Sequence, residues 1–245
     1  MSNSTEAIQG YALLDYSIQD GKKHPVAIIC PGGGYWFVSI DNEGEPFAKK
    51  LNALGISAFV VSYRVAKDAR FPNPQDDLAK AVQEVMNMSE EKNLDMSNYS
   101  IWGSSAGGHL AATFGIKQIG YEKYGLPKPD TLVLTYPVIS MGELAHSGSK
   151  DNLLGRQPSD EMIELLSIDK QVTSDYPSTF LWCGDADTCV IPQNSHCMAV
   201  ALESSGVPHK FIEYAGVGHG VGLNIGGAAE SWFDEAVKFW LNRND

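Results

Sequence analysis

Four uninterrupted apolar runs, Val26–Cys30, Ala58–Tyr63, Thr131–Tyr136 and Thr179–Cys183, constrain this chain more than any other feature. A strand with one wet face alternates apolar and polar residues. Runs without that alternation belong to strands covered on both sides, which is the condition of a parallel sheet between two helical layers. Helical patterns separate them: Glu45 to Leu54, Gln75 to Met88, Ala106 to Gln118, Asn194 to Ser205 and Ala228 to Leu241, two of which stop at Gly55 and Gly206. Strand and helix in alternation predict a doubly wound, mostly parallel α/β sheet, with its sites at the carboxyl ends of the strands. Tyr11–Ile18 alternates loosely and reads as a peripheral antiparallel strand, and Lys210–Tyr214 as the last strand.

At 245 residues the chain can bury a full core, and a single domain over 1–245 is expected. The stretch from Ser140 to Pro177 is too long for an ordinary connection. It reads as a polar His146–Lys150 segment followed by one helical piece, Ser159–Leu166, and forms a small cap that leaves the carboxyl end of the Thr131–Val138 strand. Thirty acidic residues against eighteen basic ones leave a net charge of −12, which repels phosphate backbones and argues against a nucleic-acid partner. No apolar run approaches the length of a membrane span, so no membrane partner is expected. Met1–Glu6 lacks a basic region followed by an apolar core, and a cytoplasmic location is the expectation. Cys30, Cys183, Cys189 and Cys197 have no zinc-like spacing and read as free thiols, the alternative being a bridge from Cys183 to Cys189 or Cys197.

The chemistry centres on Gly103-Ser104-Ser105-Ala106-Gly107, which follows the short strand Tyr99–Trp102 and opens an Ala-rich helix. A serine on a sharp strand-to-helix turn needs small neighbours two residues away on each side, and Gly103 and Gly107 supply them. The helix N-terminus then aims free N–H groups at a developing oxyanion, Ala106 first. Ser105 needs a base, and His219 stands in a glycine-rich loop directly after the last strand; His146, His196 and His209 are placed less well. His109, four residues past Ser105, lies on the inner face of the helix and reads as packing. The orienting carboxylate belongs after the Thr179–Cys183 strand, where Asp187 is preferred and Asp185 is the alternative, better suited to holding the loop through backbone N–H groups. Pro31-Gly32-Gly33-Gly34 follows the first buried strand, so Gly33 and Gly34 are candidates for the second oxyanion donor, with Tyr35 and Trp36 lining the acyl pocket.

These pieces, together with Glu43-Gly44-Glu45-Pro46, Ser62-Tyr63-Arg64-Val65, Phe71-Pro72-Asn73-Pro74, Tyr136-Pro137, Asn152-Leu153-Leu154-Gly155 and His219-Gly220, span nearly the whole chain in order. The chain resembles the α/β-hydrolase superfamily, and within it the small esterases of the acetylxylan esterase and feruloyl esterase-like group. Pro31 stands where lipase-like relatives have His, and their large N-terminal cap has no counterpart. The resemblance implies a serine carboxylesterase acting on short acyl esters, of sugars or oligosaccharides, with no metal or cofactor and a small-molecule ester as partner. Self-association as a homo-oligomer is left open. A prolyl-oligopeptidase-like peptidase and a non-catalytic hydrolase-like binding protein are the rival readings.

Overall fold

The apolar runs become the middle of one seven-stranded sheet. In a computed structural model that describes residues 10–241, the strands are β1 (Ala12–Tyr16), β2 (His24–Cys30), β3 (Ser57–Ser62), β4 (Leu94–Ser104), β5 (Thr131–Thr135), β6 (Ser178–Gly184) and β7 (His209–Tyr214). Met1–Glu6, on which the expectation about location rests, lies outside the described residues. The order is β1-β3-β2-β4-β5-β6-β7; β1 runs antiparallel to β3 and every other pairing is parallel.

Both faces of the central strands are dry, as unbroken apolar runs require. Val26, Ile28, Cys30, Phe59 and Val61 pack on one side against α2 (Asn73–Asn87), α3 (Ser105–Phe114) and α6 (Gln193–Ser204). Ala27, Ile29, Ala58 and Val60 face the other side, with α1 (Glu45–Ala53) and α7 (Trp232–Leu241). That second layer is aromatic. Trp232 is fully buried, with its ring centroid 5.3 Å from Phe47, 6.0 Å from Trp102 and 5.5 Å from Trp182. Its indole Nε1 donates to Gly222 O (3.1 Å), so the same side chain pins the loop that follows β7.

The segment between β5 and β6 departs from expectation in one respect. It carries two short helices, α4 (Ser147–Leu154) and α5 (Asp160–Leu165), where the sequence pattern shows only the second. Polar residues open α4, but Leu153 at its end is fully buried and the His146 ring caps its start by accepting from Ser149 N–H. Two helices are also shorter than their patterns: α3 stops at Phe114, where Tyr121 N–H folds back onto the Phe114 carbonyl, and α7 begins only at Trp232.

The chain continues from β2 to β3 on one side and reaches β4 on the other, so the sheet's direction of progress reverses around β2. Open α/β sheets have a crevice at such a point, outside the carboxyl ends of the strands. Among the described residues no helix is long and apolar enough to cross a membrane. Trp232→Ala should remove about 3–5 kcal/mol of stability, through lost packing and a cavity the rigid sheet cannot close, read as a lower urea midpoint by circular dichroism.

Candidate active site

The turn from β4 into α3 is strained as its composition demands. Ser105 has φ +52°, in the left-handed region, while Ser104 before it is extended. A Cβ on Gly107 would sit 2.0 Å from the Cys30 carbonyl oxygen, and one on Gly103 would sit 2.3 Å from the Gly107 carbonyl oxygen. The helix therefore starts with its backbone pressed against the ends of β2 and β4. That contact holds Ser105 at the crevice, nearly buried, at the N-terminus of α3.

Three loops converge on it. The loop after β7 brings His219, whose Nε2 lies 2.8 Å from Ser105 Oγ. The loop after β6 brings Asp187, whose Oδ2 accepts from His219 Nδ1–H at 2.6 Å. Asp187 is buried, and its Oδ1 accepts from the N–H groups of Cys189 and Val190, both at 2.9 Å, which fixes the carboxylate's rotation. With Nδ1 donating, Nε2 is left to accept the Ser105 hydroxyl proton. Asp185, the alternative carboxylate, instead accepts from Gly216 N–H (2.6 Å) and holds the His219 loop from outside.

The third loop follows β2. Among the described residues the N–H groups of Gly33 and Gly34 donate to no protein acceptor, while the Gly32 and Gly33 carbonyls accept from Ser39, Trp36 and Phe37. Asn152 of α4 donates to the Gly34 carbonyl (2.9 Å), so α4 braces this loop. The cavity over Ser105 measures about 410 Å³; its walls include Trp36, Phe37, Glu43, His146 and Asn152 beside Ser105 and His219.

Comparison with known proteins agrees with this fold. The family described as alpha/beta hydrolase fold matches residues 28–223. The chain belongs to that family. Endo-1,4-beta-xylanase B of Butyrivibrio fibrisolvens is 31% identical over 88% of this chain and 36% of its own length. Acetylxylan esterase of Xylanibacter ruminicola is 29% identical over 83% of this chain and 41% of its own. This α/β hydrolase thus spans about two-fifths of the length of those two curated relatives. Among solved structures, the acetyl ester-xyloside bifunctional hydrolase of Caldicellulosiruptor lactoaceticus is 35% identical with a TM-score of 0.86, covering 95% of this chain and 88% of that one. The resemblance to the acetylxylan esterase group is borne out.

One predicted residue is displaced. Tyr35, expected beside Trp36 on the acyl pocket, is fully buried and is not part of the cavity wall. Its φ of +58° turns the chain between the two aromatics, so Trp36 points out, 65% exposed, and Tyr35 points in. The Tyr35 hydroxyl bonds to His109 Nδ1 (2.9 Å), and His109 Nε2 bonds to the Leu166 carbonyl (2.9 Å). A carbonyl only accepts, so Nε2 carries the proton, Nδ1 accepts from the tyrosine, and the ring is neutral. His109 is the packing residue its helical position suggested. The other histidines bond elsewhere: His196 pairs with Glu213 (2.9 Å), and His209 contacts the Val207 carbonyl. All four cysteines are free. Phe37, Glu43, His146 and Asn152 carried no predicted role. Glu43 and Asn152 stand in motifs shared with the esterase group, which was the available signal.

Burial pushes His109 from its ordinary 6.5 down to about 4. The unfolded chain therefore binds a proton between those values that the folded state refuses, and stability falls as pH falls through that window. His109→Gln should flatten the loss by up to about 3 kcal/mol between pH 6.5 and pH 4, measured as the pH dependence of urea unfolding in the two proteins.

Proposed function

We propose that this protein is a serine carboxylesterase that removes short acyl groups, acetyl above all, from sugar or oligosaccharide esters. The observation that carries the reading is the hydrogen-bonded line Asp187–His219–Ser105, which ends beside unpaired loop amides at the switch point of the sheet. Ser105 Oγ attacks the ester carbonyl carbon while His219 Nε2 takes the hydroxyl proton. Asp187 keeps the other imidazole proton on Nδ1 and stabilises the imidazolium. The oxyanion is received by Ala106 N–H at the start of α3 and by Gly33 or Gly34 N–H across the crevice, donors that need no reorganisation as charge develops. Collapse expels the alcohol, which takes its proton from His219. Water, deprotonated by the same histidine, then attacks the acyl-serine and releases the acid.

Carboxylic ester hydrolysis is supported by the names of the relatives, an acetylxylan esterase and an acetyl ester-xyloside hydrolase. A sugar as the alcohol part is supported by the wall. Trp36 and Phe37 are 65% and 55% exposed at the rim, offering apolar faces to a pyranose ring. Asn42, Asn152 and His146 set polar groups close by for its hydroxyls. A cavity of about 410 Å³ takes an acetylated sugar unit more readily than a long acyl chain.

Hydrolysis of nitrophenyl esters from acetate to octanoate tests the reaction. Rates should be highest from acetate to butyrate and fall beyond, and Ser105→Ala should lose on the order of a millionfold of turnover. No Ser105-dependent rate on any ester would refute the reading. Asp187→Asn should cost on the order of ten-thousandfold, because the histidine loses its tautomer. Asp185→Asn should cost little, and equal losses at the two positions would undo the assignment of the carboxylate. Trp36→Ala should raise KM for acetylated xylo-oligosaccharides by about tenfold, a loss of one stacking contact, while leaving KM for nitrophenyl acetate within about twofold.

A further inference from the structure

Glu43 is a buried acid that the reaction above does not use. It sits in a single π-helical turn, Ile40–Gly44, between the glycine loop and α1, is 3% exposed, and nonetheless forms part of the cavity wall. Single π turns inside or beside α-helices recur at functional positions. Each carboxylate oxygen has a different partner. Oε2 accepts from Gly32 N–H (2.7 Å), and Oε1 accepts from the Tyr136 hydroxyl (2.7 Å). Tyr136 OH in turn accepts from Gly222 N–H (3.0 Å), and its ring meets the His219 ring edge-on at 5.0 Å. A Cβ on Gly32 would lie 2.7 Å from Glu43 Oε2 and 2.9 Å from Ser105 Cβ, so Gly32 packs against both the acid and the serine.

One carboxylate therefore ties together three segments that are distant in sequence: the loop carrying Gly33 and Gly34, the end of β5, and the loop carrying His219. We propose that Glu43 is a positioning residue, working as the ionised carboxylate, that fixes the oxyanion loop against the His219 loop and helps stabilise the imidazolium formed in turnover. The inference rests on the esterase reading of the site.

Burial dominates and raises the Glu43 pKa above the ordinary carboxylate value, while the Tyr136 and Gly32 donors and the nearby His219 offset part of that rise. The groups that face the acid are Tyr136 from the end of β5, His219 from the loop after β7 and Tyr63 from the end of β3, whose hydroxyl is committed to the Pro31 carbonyl. Ser105 lies beyond Gly32; Asp187 and His146 lie behind His219. Burial holds Tyr136 well above the ordinary tyrosine range, so it remains a donor and never a competing anion. The cation that arises beside Glu43 during the cycle is protonated His219.

The test is the pH dependence of nitrophenyl acetate hydrolysis by wild type, Glu43→Gln and Tyr136→Phe, with a fluorophosphonate titration of Ser105 counting competent sites in each. Glutamine can keep its oxygen on Gly32 N–H and its amide towards Tyr136, so it removes the charge while sparing the shape. The expected result is a ten- to hundredfold fall in kcat per titrated site with KM within about twofold, and an acidic limb moved to lower pH by about one unit. Tyr136→Phe keeps the charge but strips its donor, so the acid holds its proton more strongly and the limb moves to higher pH. An unchanged kcat in Glu43→Gln overturns the proposal, and so does a fall in kcat with an unmoved limb, the result of a merely structural acid. If Glu43→Gln does not fold, an unmoved limb in Tyr136→Phe overturns it. A wild type without Ser105-dependent activity defeats the esterase reading instead, before any Glu43 variant is compared.

Discussion

The structure depends on one contact between backbones. Gly107 at the start of α3 lies so close to the Cys30 and Pro31 carbonyls that a methyl group there would stand 2.0 and 2.4 Å from them. Nothing but glycine fits without moving the helix off the end of β2. That approach places the N-terminus of α3 against the loop after β2. Two positions earlier the chain takes a left-handed conformation at Ser105, which stands in the crevice wall. The strain at Ser105 (φ +52°) is local, and the two-sided core on either face of the sheet holds it.

Around that contact the supports are redundant. The His219 loop is held by Asp187 through the ring, by Asp185 through Gly216, by Asn42 through the Gly220 carbonyl, by Tyr136 through Gly222 N–H, and by Trp232 through the Gly222 carbonyl. A five-residue excursion from Tyr214 to His219 would otherwise be free to wander, because glycines at 216, 218 and 220 give it little intrinsic preference. Its order is imported from an aromatic layer and from carboxylates. Flexibility in sequence is thus compatible with a fixed imidazole.

Legibility in the sequence followed the range of the interactions. All seven strands were readable, since a run such as Val26–Cys30 reports its own burial on both faces. Ser105, Asp187 and His219 were readable as candidates because each stands in a short segment whose neighbours explain it, and the structure brings these three side chains together. α4 was hidden because its cap is a histidine ring and its first residues, Ser147 to Lys150, are polar; only the buried Leu153 betrays it. Tyr35 was misplaced because adjacency to Trp36 says nothing about the side it faces once φ turns positive between them. Glu43 was legible only as part of the motif Glu43-Gly44-Glu45-Pro46: its partner Tyr136 is 93 residues away, and no local pattern announces a bond of that separation.

The distribution of acid is the last consequence of the same crevice. Asp187 and Glu43 are both buried, both acidic, and placed towards His219 from different loops, in a chain whose net charge is already −12. Two anions near one imidazole would repel one another in a dry pocket unless each were satisfied separately, and each is: Asp187 by the Cys189 and Val190 amides, Glu43 by Gly32 and Tyr136. The donors come from backbone and a hydroxyl, none of them a cation, so these bonds neutralise neither carboxylate with a fixed positive charge. A lysine or arginine in place of any of those donors would satisfy a carboxylate equally well and remove its hold on the histidine.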